Sequence, residues 1–165
     1  SSVSLITTRL PCATMTRWLG RGVLVLGLGL VGAQAVPVVR TNPPITGDVA
    51  AGAEVAAILR RACYDCHSNE TVWPWYSRVA PASWLLAHDV REGRDELNFS
   101  TWSAYPAPKR VKKLKEIADE VAEGEMPPWS YVLLHRGARL DAPARDALRD
   151  WTAAERARRA GPGVP

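Results

Sequence analysis

Cys63-Tyr64-Asp65-Cys66-His67 is the most informative segment of this chain. It reads C-x-x-C-H, a spacing at which two thiols can each add to one vinyl group of a haem. The histidine beside the second thiol would then lie under the iron and ligate it. The motif therefore predicts a covalently bound haem c, attached at Cys63 and Cys66, with His67 as an iron ligand.

Two other chemistries use a C-x-x-C pair. A thioredoxin-like redox pair expects a strand before the motif, whereas residues 49–62 are Ala-rich and helical in pattern. A structural zinc site expects four Cys or His ligands, but no cysteine follows Cys66, and only His88 and His135 remain. Metal or dithiol chemistry therefore stays open as the weaker alternative to haem attachment.

The apolar residues along the chain recur at helical spacing. The clearest case is Lys109 to Glu123, where Val111, Leu114, Ile117 and Val121 fall on one face. Asp48 is the predicted N-cap of the first helix, and Gly124 is predicted to end the third. Because no segment alternates like a strand, we predict an all-α domain, with helices over 49–62, 81–97, 109–123 and 142–155 and a short helix or turn over 130–139.

Residues 1–35 have the pattern of a targeting leader. A basic segment, Met15 to Arg21, precedes the apolar segment Gly22 to Gly32, and Ala33-Gln34-Ala35 forms an A-x-A cleavage pattern. We expect Met15 to be the true start. The leader is predicted to be either a cleaved signal peptide or an uncleaved anchor.

The anchor alternative depends on residues 22–39, which carry no charge and approach the length of a membrane span. They would allow membrane association. In both alternatives the basic residues before the apolar segment put the rest of the chain outside the cytoplasm. We therefore expect a periplasmic location, or one on the outer face of the bacterial inner membrane, where c-type haem attachment takes place.

The predicted organisation after the leader is a Pro-rich tether over 36–47, a haem-binding domain over 48–155 and a flexible tail over 156–165. The net charge of +4 comes mostly from the leader. Without its three arginines the chain has 18 basic and 17 acidic residues. A nearly neutral domain gives no reason to expect nucleic-acid binding.

The second axial ligand of the iron has two candidates. Met126 lies in a Gly-Glu-Met-Pro-Pro loop between two predicted helices, and a methionine thioether is a common axial ligand. His88, on a predicted helix, is the alternative. His135 is expected to be structural or exposed.

The wall of a haem pocket is expected to include tryptophans. The chain has seven tryptophans and one phenylalanine, and an indole combines a large apolar area with one N–H donor. Trp73 and Trp75 are predicted to line the haem. Arg94 is predicted to pair with a haem propionate.

Longer motifs carry a family resemblance. Cys63 to Thr71 (CYDCHSNET), Trp73 to Ser77 (WPWYS), Leu97 to Ser100 followed by Trp102, and Gly124 to Pro127 resemble the bacterial haem-binding domain family of small monohaem cytochrome c-like proteins. The resemblance covers roughly residues 36–152. It implies a cytochrome c-like fold and a haem cofactor with iron, and it says little about physiological role.

The expected function is one-electron transfer between redox proteins whose identity the sequence does not give. An electron carrier of this kind is not a catalyst. Two alternatives stay open, a peroxidase-like haem enzyme and a redox or gas sensor. Both would need an open or labile sixth iron position.

Overall fold

A computed structural model describes residues 12–160. This part of the chain is helical and contains no strand, so the prediction of an all-α fold is confirmed for it. Three 3-10 helices, Trp75–Arg78, Phe99–Ala104 and Arg136–Ala138, connect longer elements. The α-helices are α1 Cys12–Ala33, α2 Ala53–Ala62, α3 Tyr64–His67, α4 Ala82–Glu96, α5 Ala107–Glu123, α6 Trp129–Leu134 and α7 Ala142–Ala160.

The core lies between α2, α5 and α7. The most extensive helix contact joins α5 to α7, and α2 packs against α7. Leu59, Leu114 and Leu148, one from each helix, are fully buried. Complete burial of a leucine side chain contributes about 1.5–3 kcal/mol, so these three leucines hold together helices that are distant in sequence.

The first domain helix starts later than its sequence pattern predicts. α2 begins at Ala53, and its N-cap is Gly52. The prediction that Asp48 is the cap is wrong. The Oδ1 atom of Asp48 accepts a hydrogen bond from the Tyr64 hydroxyl at 2.8 Å. Asp48 therefore ties the chain before α2 to the haem motif.

The ends of α5 and α7 have separate causes. α5 ends where Gly124 adopts φ +80°, a left-handed conformation that favours glycine, as predicted. α7 runs to Ala160 rather than ending near residue 155. The buried Glu155 accepts from Arg158 and Arg159 one turn further on, which extends the helix into the segment predicted to be a flexible tail. Residues 161–165 of that segment lie outside the described residues.

Residues 36–47, the strap, cross the surface of the domain in extended conformation. Arg40 donates to the Ser77 carbonyl at 3.0 Å, and Asn42 donates to the Thr71 carbonyl at 3.0 Å. Further hydrogen bonds run from Asn69 to Pro44 and from Thr46 and Gly47 to Ser100. The Pro-rich segment is therefore attached along its length and forms part of the domain.

The predicted leader is helical over most of its described part. α1 covers Cys12–Ala33 and leaves most of its apolar side chains exposed. Gln34, which follows it, exchanges two hydrogen bonds with the backbone of Ala80. No helix within residues 12–160 is both long and apolar enough to span a membrane. Residues 1–11 of the predicted leader lie outside the described residues.

Candidate haem site

The C-x-x-C-H motif forms a helical turn of its own. Cys63 breaks the helix between α2 and α3, with φ −127° and ψ −36°. Its carbonyl oxygen accepts from the backbone N–H of Cys66 at 3.2 Å and from that of His67 at 2.9 Å. The turn therefore fixes both cysteines and the histidine relative to one another.

Both cysteines of the motif are free thiols and partly exposed. Burial raises the pKa of Cys63 to about 12, and the charge of Cys66 contributes. Burial likewise raises the pKa of Cys66 to about 11, helped by the carboxylates of Asp65 and Asp89. At neutral pH both groups are thiols rather than thiolates, so they lack the character of a reactive redox pair.

The imidazole of His67 is held by two carbonyl groups at the end of α4. Its Nδ1 lies 2.8 Å from the carbonyl oxygen of Gly93 and 3.2 Å from that of Leu97. Because both partners accept hydrogen bonds, Nδ1 must carry the proton. The other nitrogen, Nε2, is then unprotonated and makes no hydrogen bond to the described residues. Fixing one ring nitrogen in this way is how proteins orient a metal-ligating histidine.

The contact between α4 and the motif depends on Gly93. A Cβ atom at this position would lie 2.7 Å from the carbonyl oxygen of Cys66. Only glycine lets the helix approach closely enough for its carbonyl group to reach His67. The sequence contained a signal for this role, since a glycine inside a helical pattern can mark a close backbone contact.

Asp65, between the two cysteines, organises the surrounding loops. Its Oδ2 accepts from the Tyr131 hydroxyl at 2.6 Å, and its Oδ1 accepts from the backbone N–H of Val72 at 2.9 Å. The Thr71 hydroxyl donates to its carbonyl oxygen at 2.7 Å. Sequence reasoning missed Asp65 and Tyr131 because nothing local connects residues 66 positions apart.

The polar residues after the motif form a buried network. Asn98 donates to the side chain of Asn69 at 2.9 Å, and the backbone N–H of Asn69 donates to the Ser100 hydroxyl at 2.9 Å. Ser68 and Ser100 are fully buried. Since buried polar groups are stable only when paired, these side chains are needed to hold the loop after His67 in one conformation.

The structure places the two predicted sixth ligands differently. Met126 lies in the loop after α5, where its backbone N–H donates to the Glu120 carbonyl at 3.2 Å and its side chain is 40% exposed. His88 lies on the outer part of α4, and its Nδ1 accepts from Arg91 at 3.1 Å. The thioether of Met126 is therefore accessible to a bound group, whereas His88 already has a protein partner.

The other predicted haem residues are spread over several environments. Trp75 is 77% exposed. Trp73 is partly buried, and its Nε1 has no hydrogen-bond acceptor. Arg94 donates four hydrogen bonds, and their acceptors are Thr41, Asn42, Ser68 and Thr71. Arg94 therefore joins α4 to the strap and to the loop after His67.

A cavity of about 670 Å³ lies between α4 and the strap. Trp73, His88 and Arg94 are among its lining residues, together with Trp84 and Arg91. The lining does not include Cys63, Cys66, His67 or Met126. Three of the predicted haem residues, Trp73, His88 and Arg94, thus line a cavity that neither the two thiols nor the imidazole lines.

The groups at the motif fit a covalently held haem. They comprise two free thiols on one turn and an imidazole whose Nε2 has no partner among the described residues; Met126 lies in a separate loop, with its side chain exposed. Thioether, imidazole and thiol chemistry is what c-type haem ligation uses. Among residues 12–160 no three His, Cys, Asp or Glu side chains are grouped so as to hold a bare metal ion, so the zinc alternative has no ligand set there.

Comparison with known proteins gives one match. Neither the curated proteins nor the solved structures contain a match to this chain. The family model described as a haem-binding domain matches residues 28–154. That range includes the motif, the strap and all helices from α2 to α6, together with most of α7. The chain therefore belongs to the haem-binding domain family.

Proposed function

We propose that this protein is a c-type monohaem electron carrier that works outside the cytoplasmic membrane. The haem would be attached through thioethers at Cys63 and Cys66. The observation that carries the proposal is the hydrogen bonding of His67, whose Nδ1 faces two carbonyl oxygens at 2.8 and 3.2 Å. This arrangement leaves Nε2 as the nitrogen that binds the iron.

Met126 is the proposed second axial ligand. Its exposed side chain has no hydrogen-bond partner among residues 12–160 to displace, whereas His88 is bonded to Arg91. A haem iron held by histidine and methionine exchanges one electron at a comparatively high potential. The protein supplies the ligands, their orientation and the burial that set that potential. With both axial positions filled by the chain, no position is left for a substrate.

The proposed location rests on the leader pattern and on the chemistry of attachment. A basic segment followed by an apolar one is typical of export, and α1 carries these residues. The proposed partners are a protein electron donor and a protein acceptor. The near balance of charge outside the leader supports protein partners rather than nucleic acid. Association through residues 22–39 with the membrane is part of the proposal.

Optical spectroscopy tests the axial ligands. The protein would be co-expressed with a c-type maturation system and compared with Met126→Ala and, as a matched control, Leu133→Ala, another exposed apolar residue. We expect a low-spin oxidised spectrum for the wild type and the control, with a methionine-to-iron charge-transfer band. That band should disappear in Met126→Ala.

The other outcomes separate the alternatives. A low-spin spectrum unchanged by Met126→Ala would indicate that another residue is the second axial ligand, and His88→Ala would be the next variant to test. A high-spin oxidised spectrum of the wild type would instead favour a peroxidase-like enzyme or a redox or gas sensor. Covalent attachment has its own test, because acid–acetone extraction should leave haem on the wild type but remove it from Cys63→Ala/Cys66→Ala.

A further inference from the structure

The cavity between α4 and the strap is separate from the proposed haem attachment. Its volume, about 670 Å³, lies in the range of small-molecule sites. One wall is α4, another is the strap, and Trp73 contributes from the loop after the motif. Arg94 holds the strap in place through Thr41 and Asn42 at 2.9 and 3.0 Å. The cavity is therefore maintained by specific hydrogen bonds.

The lining carries an excess of positive charge. Its charged groups are Arg91, Arg94 and one carboxylate, that of Asp95. All four acceptors of Arg94 are neutral oxygens, and burial lowers the pKa of this guanidinium. Arg91 reaches a carboxylate only at Glu92, at 3.4 Å. Two guanidinium groups whose charge is poorly compensated favour an anionic ligand.

The lining also offers aromatic surface and a neutral donor. Trp73 and Trp84 both line the cavity. His88 accepts from Arg91 through Nδ1 at 3.1 Å, which leaves its Nε2–H as a donor. Indole rings stack on flat rings, so the combination suits a planar ligand with an acidic group.

We propose that this cavity binds a small aromatic carboxylate. The ring would lie against Trp73 and Trp84, and the carboxylate would accept hydrogen bonds from Arg91 and His88. Arginine is well suited to this role because its planar fork matches a carboxylate. The ligand would bind within the haem-binding domain without occupying an axial position of the iron. The proposal goes beyond electron transfer and does not depend on it.

A haem propionate has the same chemistry, a carboxylate on a conjugated ring system. The two sources are separated by measuring binding to the haem-loaded protein, in which the propionates are already present. Isothermal titration calorimetry with 1-naphthoate is the direct experiment. We expect saturable binding at millimolar or lower concentration. Naphthalene-1-carboxamide, which lacks the charge, and acetate, which lacks the ring, should both bind at least tenfold more weakly.

Variants locate the binding site. Arg91→Gln and Trp84→Ala should each weaken naphthoate binding about tenfold, the size of effect that one lost charged hydrogen bond or one stacking contact produces. Arg149→Gln removes an exposed arginine of α7, and Leu85→Ala removes an exposed α4 residue outside the lining. Neither control should change naphthoate affinity. The haem spectrum of every variant should match that of the wild type, which shows that the fold is intact.

Three outcomes would overturn the proposal. One is the absence of binding to the haem-loaded protein while the haem-free protein binds, because the cavity would then belong to the propionates. Another is equal affinity for naphthoate and its carboxamide. The third is unchanged affinity in both cavity variants. Failure of electron transfer would leave these measurements unaffected, since they follow the binding of naphthoate and not the iron.

Discussion

The Nδ1 atom of His67 lies 2.8 Å from the carbonyl oxygen of Gly93, and this contact, together with that to Leu97 at 3.2 Å, leaves Nε2 as the imidazole nitrogen available to a ligand. The contact requires α4 to lie against the backbone of Cys66, since a Cβ on Gly93 would come within 2.7 Å of the Cys66 carbonyl oxygen. A glycine on one helix thus determines the chemistry of a histidine on another.

Gly93→Ala should therefore destabilise the domain by about 1–3 kcal/mol, the usual cost of forcing extra volume into a packed contact. Urea unfolding of the haem-free protein measures this loss of stability. Haem incorporation should fall as well, because His67 would lose its orientation. Gly137→Ala is the matched control, since no atom lies within 4 Å of a Cβ there. Equal stability of the two variants would contradict the proposed role of Gly93.

Lys113 should raise the reduction potential of the bound haem. Its side chain is only 9% exposed, and its charge adds to the effect of burial in lowering the pKa of His67. Replacing it by methionine removes a cation near the iron ligand, which favours the oxidised form. We expect the reduction potential of Lys113→Met to be lower than that of the wild type by roughly 30–60 mV in a redox titration. For a one-electron reaction, about 59 mV corresponds to a tenfold change in the equilibrium constant.

Lys112→Met is the control for that measurement. Lys112 is the neighbouring residue on α5, but its side chain is 72% exposed, so solvent screens its charge. Its removal should change the potential much less. A shift of the same size in both variants would mean that the overall charge of α5, and not the buried position of Lys113, sets the effect.

Tyr131 should make the domain sensitive to alkaline pH. Burial, followed by its hydrogen bond to Asp65, raises the pKa of this phenol above its usual value. Above about pH 10 the unfolded chain loses the phenolic proton while the folded chain keeps it. Stability is therefore full below that pH and falls as pH rises, by less than the full ~1.4 kcal/mol per pH unit, because the half-buried phenol is partly screened by solvent.

Urea unfolding at pH 8 and pH 11 tests this dependence. Tyr131→Phe removes the titrating group and its 2.6 Å hydrogen bond to Asp65. The variant should be less stable at pH 8, by about 1.5–3 kcal/mol as for bonds to charged groups. It should also lose less stability than the wild type between the two pH values. Identical losses in the two proteins would show that Tyr131 does not titrate differently on folding.

Arg94→Gln should release the strap. The substitution removes a side chain that donates to Thr41, Asn42, Ser68 and Thr71, and the expected cost is about 2–4 kcal/mol for several bonds lost together. Hydrogen exchange of residues 36–47 should become faster. Arg78→Gln, at an exposed arginine, should change neither quantity. An unchanged rate of hydrogen exchange in Arg94→Gln would mean that the strap is held without Arg94, by hydrogen bonds such as those of Arg40, Asn42 and Asn69.

Much of the helical architecture was predictable because it depends on local patterns. The apolar spacing of residues 109–123 and the glycine after them predicted α5 and its end closely. Asp48 shows the limit of such reasoning. Its residue type suits an N-cap, but the helix begins at Ala53, and the Asp48 carboxylate accepts from the Tyr64 hydroxyl. A local preference of about 1 kcal/mol yields to a tertiary hydrogen bond.

The strap shows the same limit on a larger scale. Its prolines favour extended backbone, and the backbone is extended. Whether an extended segment stays free depends on donors and acceptors elsewhere, such as Ser77 and Thr71, which lie 37 and 29 positions further on. No periodicity within residues 36–47 contains that information.

The family and a haem cofactor could be inferred from the sequence alone, because the C-x-x-C-H signature occupies five consecutive residues whose spacing is that of a single helical turn. How the side chains of this signature are held depends on contacts from distant parts of the chain. The carbonyl groups that orient His67 come 26 and 30 positions later, and the tyrosine that fixes Asp65 comes 66 positions later. The physical reason is that hydrogen bonds and close contacts depend on distance in space, which chain packing alone establishes.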